Sequence, residues 1–267
     1  MPIRLDLPAT LRDHLASSDR ALLGLWVCSA NPVVAEIVAG SGCDWILIDV
    51  EHSPNSLESV LAQLYAMSAY PVTPLVRLPS DDTVLIKQYL DLGVQNLLIP
   101  MVDSAEEAEN IVRAIRYSQD GVRGVGAALA RSSRWNRVEG YLNGAHDTIS
   151  LTVQIESVDA VADVERILNV DGVDAVFIGP SDLAASMGFL GQQNHPEVVS
   201  RVLEVIHIAK RAGKPVGVNA FIRADAQRYL EAGADFVAVG ADVSILARET
   251  ENLIESFAPS DNAERQP

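Results

Sequence analysis

NVDGVDAVFIGPSDL (169–183) compresses the end of one helix, a strand and the start of the next helix into fifteen residues. Gly172 marks the helix end, where a residue free to turn left-handed stops the spiral. DAVFIG (174–179) is continuously apolar rather than alternating, as parallel strands covered on both faces are. GPSDL then opens a helix with small and acidic residues. The same order of glycine, then strand, recurs in AGSGCDWI (39–46), LDLGVQNLL (90–98), RAGKPVGV (211–218) and EAGADFVAV (231–239). Eight apolar runs follow this grammar: 22–28, 44–50, 72–77, 95–100, 150–156, 174–179, 215–220 and 235–240. Amphipathic stretches lie between them at 32–39, 56–68, 82–91, 105–116, 196–211 and 224–231. Eight β-then-α repeats predict an α/β fold, a (β/α)8 TIM-type barrel; a doubly wound open sheet is the alternative, because alternation alone does not prove closure. The glycine caps would lie at the bottom of the barrel, so the far end of each strand points to the top.

A chain of 267 residues, 48% of them hydrophobic, suffices for one large domain. The reading is a barrel over 1–257, capped at the bottom by a helix in LPATLRDHLAS (7–17), and a disordered tail over 258–267. The least regular stretch is DGVRGVGAALARSSRWN (120–136), read as a long βα segment and therefore a functional one. Arg131 and Arg134 within it could meet a distal anionic group, a neighbouring subunit or only solvent. The net charge of −16 repels phosphate backbones and anionic lipid, so neither nucleic acid nor a membrane is expected as a partner. Cys28 and Cys43 lack CxxC spacing and are expected to be buried, reduced thiols. With no stretch of signal or membrane-spanning character, the expected location is cytoplasmic.

Active sites of this architecture gather where strands end, which singles out Trp26, Asp49, Glu51, His52, Arg77, Asp103, Gln154, Glu156, Ser181, Asp182 and Asn219. Glu156 and Asp182 stand at consecutive strand exits, as hard oxygen donors that could share a divalent cation; the competing reading makes Asp182 a helix cap. Two uncompensated carboxylates on one rim repel, which favours the cation. His52, after IDVE, suits acid–base work, although a third metal ligand or an idle loop histidine would look the same. Arg77 could grip a carboxylate or an enolate oxygen, pair with Asp49, or do both. Lys87, Lys210 and Lys214 are the only lysines, on a helix or at the barrel bottom, which disfavours a Schiff base. No P-loop, GxGxxG after a strand, or nucleophile elbow is present.

Taken together, DWILIDVEHSPN, VTPLVRLP, QYLDLGVQNLLIPMVDS, RGVGAALARSSRW, VQIES, VDAVFIGPSDL and AGADFVAVGAD resemble the HpcH/HpaI aldolases, metal-dependent pyruvate aldolases, over about 22–246. The resemblance implies that Glu156 and Asp182 bind a divalent metal (Mg2+, Mn2+ or Co2+). It implies that Arg77 binds the pyruvate carboxylate or enolate oxygen, and that His52 is the acid–base. Asp49, and Asp91 from a neighbouring subunit, would orient His52 or its water. Gln154 would sit beside the metal, and the backbone of Ser181 and Asp182 would cap the substrate carboxylate. The resemblance also implies a homo-oligomer, a hexamer built as a trimer of dimers that exchange the C-terminal helix.

This chain departs from the family pattern at Val50, where glycine is frequent, and at Phe221, where an aliphatic residue is common. Trp26, Val125 and Phe221 are accordingly expected to shape the aldehyde side of the pocket. The expected activity is reversible cleavage of 4-hydroxy-2-oxo acids to pyruvate or hydroxypyruvate and an aldehyde. Its small-molecule partners are thus a 2-oxo acid and an aldehyde. An oxaloacetate-type decarboxylating lyase, and a non-catalytic barrel that binds a metal and a 2-oxo acid, are the alternatives.

Overall fold

The computed structural model describes residues 5–258. Helix α1 (Leu11–Ser17) precedes β1 (Leu22–Val27), α2 (Pro32–Ala39), β2 (Trp45–Asp49), α3 (Leu57–Met67), β3 (Thr73–Arg77), α4 (Thr83–Asp91), β4 (Asn96–Ile99) and α5 (Ala105–Ile115). The second half runs through a one-turn α6 (Tyr141–Gly144), β5 (Ser150–Ile155), α7 (Val158–Leu168), β6 (Ala175–Ile178), α8 (Pro180–Ser186), α9 (Pro196–Arg211), β7 (Val216–Asn219), α10 (Arg223–Glu231), β8 (Phe236–Ala241) and α11 (Asp242–Glu255). All eight strands are parallel, in sequence order, and β8 pairs back onto β1, so the sheet is a closed barrel and not an open one.

Side chains alternate across each strand. On β2, Ile46 and Ile48 face the helices and join the large outer core, whereas Trp45 and Leu47 face inward with Leu75, Leu98, Phe177 and Phe236. Trp45 meets Phe177 and Phe236 with ring centroids 6.2 and 5.6 Å apart, filling the barrel centre with edge contacts. A Cβ on Gly24 would lie 2.1 Å from Trp45 Cε2, so glycine makes room for that indole. The same period of two carries Asp49, Arg77 and Gln154 on the inward face, at or next to their strand ends.

The barrel bottom is closed by α1. Leu11, fully buried, joins the interior cluster, its amide donates to Asn96 Oδ1 at 2.7 Å, and His14 Nδ1 lies 2.5 Å from Thr73 Oγ1. Thr10 and Asp13 cap this helix reciprocally. Gly172 has φ +102°, and Gly42, Gly93, Gly213 and Gly233 also have positive φ where the sequence places helix ends.

Two expectations need correcting. The stretch 120–136 follows α5 and leads into β5, so it is an αβ connection at the barrel bottom rather than a βα loop at the top. There Arg123 stacks 4.6 Å from the Tyr117 ring and pairs with Asp91 at 2.9 Å, while Arg131 lies over Tyr65 and donates to Leu92 O. Second, Cys28 and Cys43 are half-buried rather than buried, and both are free. Of the expected tail, 259–267 lies outside the described residues. Among those described, no helix is long and apolar enough to cross a membrane.

Candidate active site

Arg77, at the end of β3, is buried and held from two sides. Its Nε donates to Asp49 Oδ1 at 2.9 Å, and its Nη1 lies 2.9 Å from Glu51 Oε2. The Glu51 contact is ionic without hydrogen-bond alignment. Trp26 of β1 lies under the guanidinium, which stands 4.4 Å from its ring centroid. Asp49 also accepts from the Glu51 amide and the Ser53 hydroxyl, so one carboxylate fixes both the arginine and the loop after β2. The arginine beside it holds Asp49 below the usual carboxylate range against the opposing effect of burial, the largest single influence. Glu51 moves the other way, raised chiefly by burial and further by Asp49 and Asp182, with Arg77 opposing.

Glu156, just past β5, is 2% exposed. Its Oε1 accepts from the Met101 amide at 2.8 Å, and its Oε2 accepts from Gln154 Nε2. Burial pushes its carboxyl up to about 7, and the nearby carboxylates of Asp182 and Glu51 push the same way, while the two hydrogen bonds resist. Asp182 stands in the first turn of α8, where Gly179 is the N-cap and no side chain caps the helix. Its carboxylate is therefore not the cap. A Cβ on Gly179 would fall 2.3 Å from Glu156 Oε2, so glycine leaves that carboxylate open on the cavity side.

Among the described residues, no three His, Cys, Asp or Glu side chains group to hold a metal ion. The donors present nevertheless fit a divalent cation: Glu156 and Asp182 are hard oxygen ligands, and Gln154 Oε1 is buried without a partner beside them. Mg2+ and Mn2+ commonly take one or two carboxylates and complete the shell with water or substrate oxygens.

A cavity of about 150 Å3 is lined by Trp26, His52, Arg77, Gln154, Ser181, Asp182 and Asn219, among others, so seven of the strand-exit residues converge on it. The His52 side chain is 67% exposed at its mouth, with Nε2 3.7 Å from Glu51 Oε1. The neighbour of the imidazole is thus Glu51, whereas Asp49 reaches only the His52 backbone amide, at 3.5 Å. Phe221 meets the Trp26 ring edge-on with centroids 6.0 Å apart. The Cys28 thiol is pushed up to about 11 by burial, with Asp49 and Asp242 adding to it, so it is no nucleophile near neutrality.

Val125, expected at the aldehyde side, and Asp91, expected from a neighbouring subunit, both lie at the opposite end of their own barrel. Asp91 ends α4 at the barrel bottom, bound to Arg123, and Val125 is on the αβ connection at the same end, 66% exposed. Neither lines the cavity of its own barrel, because each lies at the barrel bottom. Two other contributors carry no sequence signal. Met101 adopts φ +53°, which is how a non-glycine backbone turns its amide onto Glu156. Asp242, after β8, accepts from the Cys28 and Ser29 amides at 2.8 and 3.1 Å and ties down the loop after β1.

The family model of HpcH/HpaI aldolase/citrate lyase matches residues 22–248. A hydroxypyruvate/pyruvate aldolase of Pseudomonas aeruginosa is 48% identical over 262 residues, covering 97% of this chain and 98% of its own. A 4-hydroxy-2-oxo-heptane-1,7-dioate aldolase of Salmonella dublin is 51% identical, covering 91% and 92%. The crystal structure of a family protein from Burkholderia cenocepacia superposes with a TM-score of 0.88 at 38% identity, covering 92% of this chain and 98% of that one. With a family model matched over 22–248, a closed barrel and relatives this similar over nearly its whole length, the chain belongs to the HpcH/HpaI aldolase/citrate lyase family.

Proposed function

We propose that the cavity carries out reversible aldol cleavage of 4-hydroxy-2-oxo acids to pyruvate or hydroxypyruvate and an aldehyde. The observation that carries this reading is the buried Glu156, raised to about 7 with Asp182 among the carboxylates acting on it, directly behind Gln154 and Gly179 of the cavity that Asp182 and the clamped guanidinium of Arg77 also line. The relatives named as aldolases support it, and make the chain a carbon–carbon lyase.

Glu156 and Asp182 would hold the divalent cation (Mg2+, Mn2+ or Co2+), with Gln154 beside them. When bound, that cation supplies Lewis-acid polarisation of the 2-oxo group. Arg77 lines the cavity with Nε and Nη1 committed to Asp49 and Glu51, and its remaining N–H groups would meet the negative charge that grows as the carbon–carbon bond breaks. The first-turn amides of Ser181 and Asp182 face no helical acceptor and would receive the substrate carboxylate. In cleavage His52, directly or through water, takes the proton of the C4 hydroxyl; the C3–C4 bond breaks, the aldehyde leaves, and the electron pair remains on the three-carbon fragment as its enolate. Protonation at C3 then completes the 2-oxo acid.

Lys210 pairs with Asp235 and Lys214 donates to Val173 O, both at the barrel bottom, and Lys87 lies on α4 against Gly124, so none of the three lysines lines the cavity to offer an amine for a Schiff base. Phe221, 44% exposed and packed edge-on against the deeper Trp26, would border the aldehyde side. Asp91 and Val125 would meet such a site only in a neighbouring copy, and the apolar surface of α11 supports a homo-oligomer, for which the family resemblance suggests a trimer of dimers. Turnover of a 4-hydroxy-2-oxo acid should vanish with a chelator and return with Mg2+, Mn2+ or Co2+. Full turnover in the chelator, or a borohydride-reducible lysine adduct, overturns the proposal.

A further inference from the structure

Two buried polar groups in the cavity have no part in the chemistry above. Trp26 Nε1, on β1, and Asn219 Oδ1, at the end of β7, are both buried without a hydrogen-bond partner, and both residues line the same cavity. A buried polar atom left unpaired is costly, and most such atoms in folded proteins find a partner. An indole N–H can only donate, and an amide carbonyl oxygen can only accept. A methyl group would satisfy neither, and a carboxylate would satisfy only the indole. A hydroxyl is both donor and acceptor, and so has the chemistry that both atoms lack.

Resting on the aldolase reading, we propose that Trp26 Nε1 and Asn219 Oδ1 together recognise the C3 hydroxyl of a 3-hydroxy-2-oxo acid, so that hydroxypyruvate is preferred over pyruvate as the three-carbon component. The depth of the pair assigns the hydroxyl to that component rather than to the aldehyde. Trp26 is 9% exposed, whereas His52, which handles the C4 oxygen next to the aldehyde carbon, stands at the open mouth with its side chain 67% exposed. The cavity, at about 150 Å3, is also far smaller than the 300 Å3 or more of a typical drug-sized site, and so suits a three-carbon acid. A site built to hydrogen-bond a hydroxyl discriminates against the analogue that lacks it more strongly than an apolar pocket discriminates by size.

The test compares kcat/KM for hydroxypyruvate and for pyruvate, each with one common aldehyde, in the cation-loaded parent and in Asn219→Leu and Trp26→Phe. Leucine keeps most of the bulk and removes the acceptor; phenylalanine keeps an aromatic ring under Arg77 and removes the donor. The parent should favour hydroxypyruvate, and the ratio should fall roughly tenfold or more in each variant, as expected when a buried group is left unpaired. A ratio within about threefold of the parent's in the folded variants overturns the assignment, and so does a change in aldehyde preference with the ratio fixed. If Asn219→Leu fails to fold, Trp26→Phe decides on the same criterion. A parent that turns over neither donor refutes the aldolase reading itself, whereas a parent active on both, with variants that leave the ratio unmoved, refutes only the hydroxyl recognition.

Discussion

Arg77 and Glu156 are two buried charges with opposite histories. Arg77 is neutralised on the spot by Asp49 and Glu51, so removing it strands a carboxylate that is 1% exposed. Arg77→Ala should therefore destabilise the protein by about 3–5 kcal/mol in urea unfolding, the cost of breaking one half of a buried pair. Arg77→Lys should keep most of that stability yet lose about 100-fold in kcat/KM, because an ammonium cannot hold both acids and still reach substrate. A lysine variant with parental turnover would show that the guanidinium does not act on the developing charge. Among the described residues, Glu156 has no such neutraliser. Its carboxyl binds a proton more tightly in the fold than in the unfolded chain, about 7 against an ordinary 4.5. Stability from that proton is complete below about 4.5 and is lost as pH rises towards 7, up to about 3 kcal/mol in the cation-free protein. Glu156→Gln removes the loss, so the cation-free variant should melt higher than the parent at pH 8. Added Mn2+ should raise the Tm of the parent but not of the variant. A cation-free variant that melts below the parent at pH 8 contradicts this account.

At the scale of elements, α1 is a short helix that earns its place by closing the barrel interior. Leu11 is fully buried against the inward-facing cluster, so Leu11→Ala should cost about 2–5 kcal/mol in urea unfolding, with turnover in folded protein retained because the cavity lies at the other end. A cost below about 1 kcal/mol would mean that α1 is only an accessory. The plug, like the eight strands, was legible in the sequence because each depends on local grammar: continuous apolar runs, glycine before a strand, a cap before a helix. The polar residues at strand exits were legible for the same reason, since a period of two fixes which of them face inward. What stayed hidden depends on information that composition does not carry. The irregularity of 120–136 was visible, but its side of the barrel follows from the helix that precedes it, and Val125 lies with it at the bottom. Whether Asp182 caps α8 or faces the cavity could not be read from GPSD, because a first-turn acid suits both. The left-handed backbone of Met101 leaves no trace in residue type, and the grip of Glu51 on Arg77 appears only when the loop after β2 closes over β3.

For the whole molecule, the distribution of apolar surface is the fact that a single barrel does not account for. Along α11 and just beyond it, Leu246, Leu253, Ile254 and Phe257 are exposed, the last two by 73% and 82%, although the interior of the barrel is already filled. Apolar side chains concentrated on one terminal helix mark an interaction surface rather than ordinary scatter. A net charge of −16 keeps such a surface from associating indiscriminately, so a contact made there must be specific and sufficiently apolar to overcome repulsion between like copies. If α11 packs against a second copy, Leu253→Glu with Ile254→Glu should shift the mass in solution to a smaller species, measured by light scattering, while circular dichroism remains that of a folded barrel. The same variant separates two roles for the bottom of the barrel. Should Asp91 act on the cavity of a neighbouring copy, dissociation and Asp91→Ala would each lower kcat/KM, by about 10-fold or more, and combining them would add little further loss because both remove one contact. Parental mass and activity in the double glutamate variant would show that the apolar face of α11 is not what joins the copies.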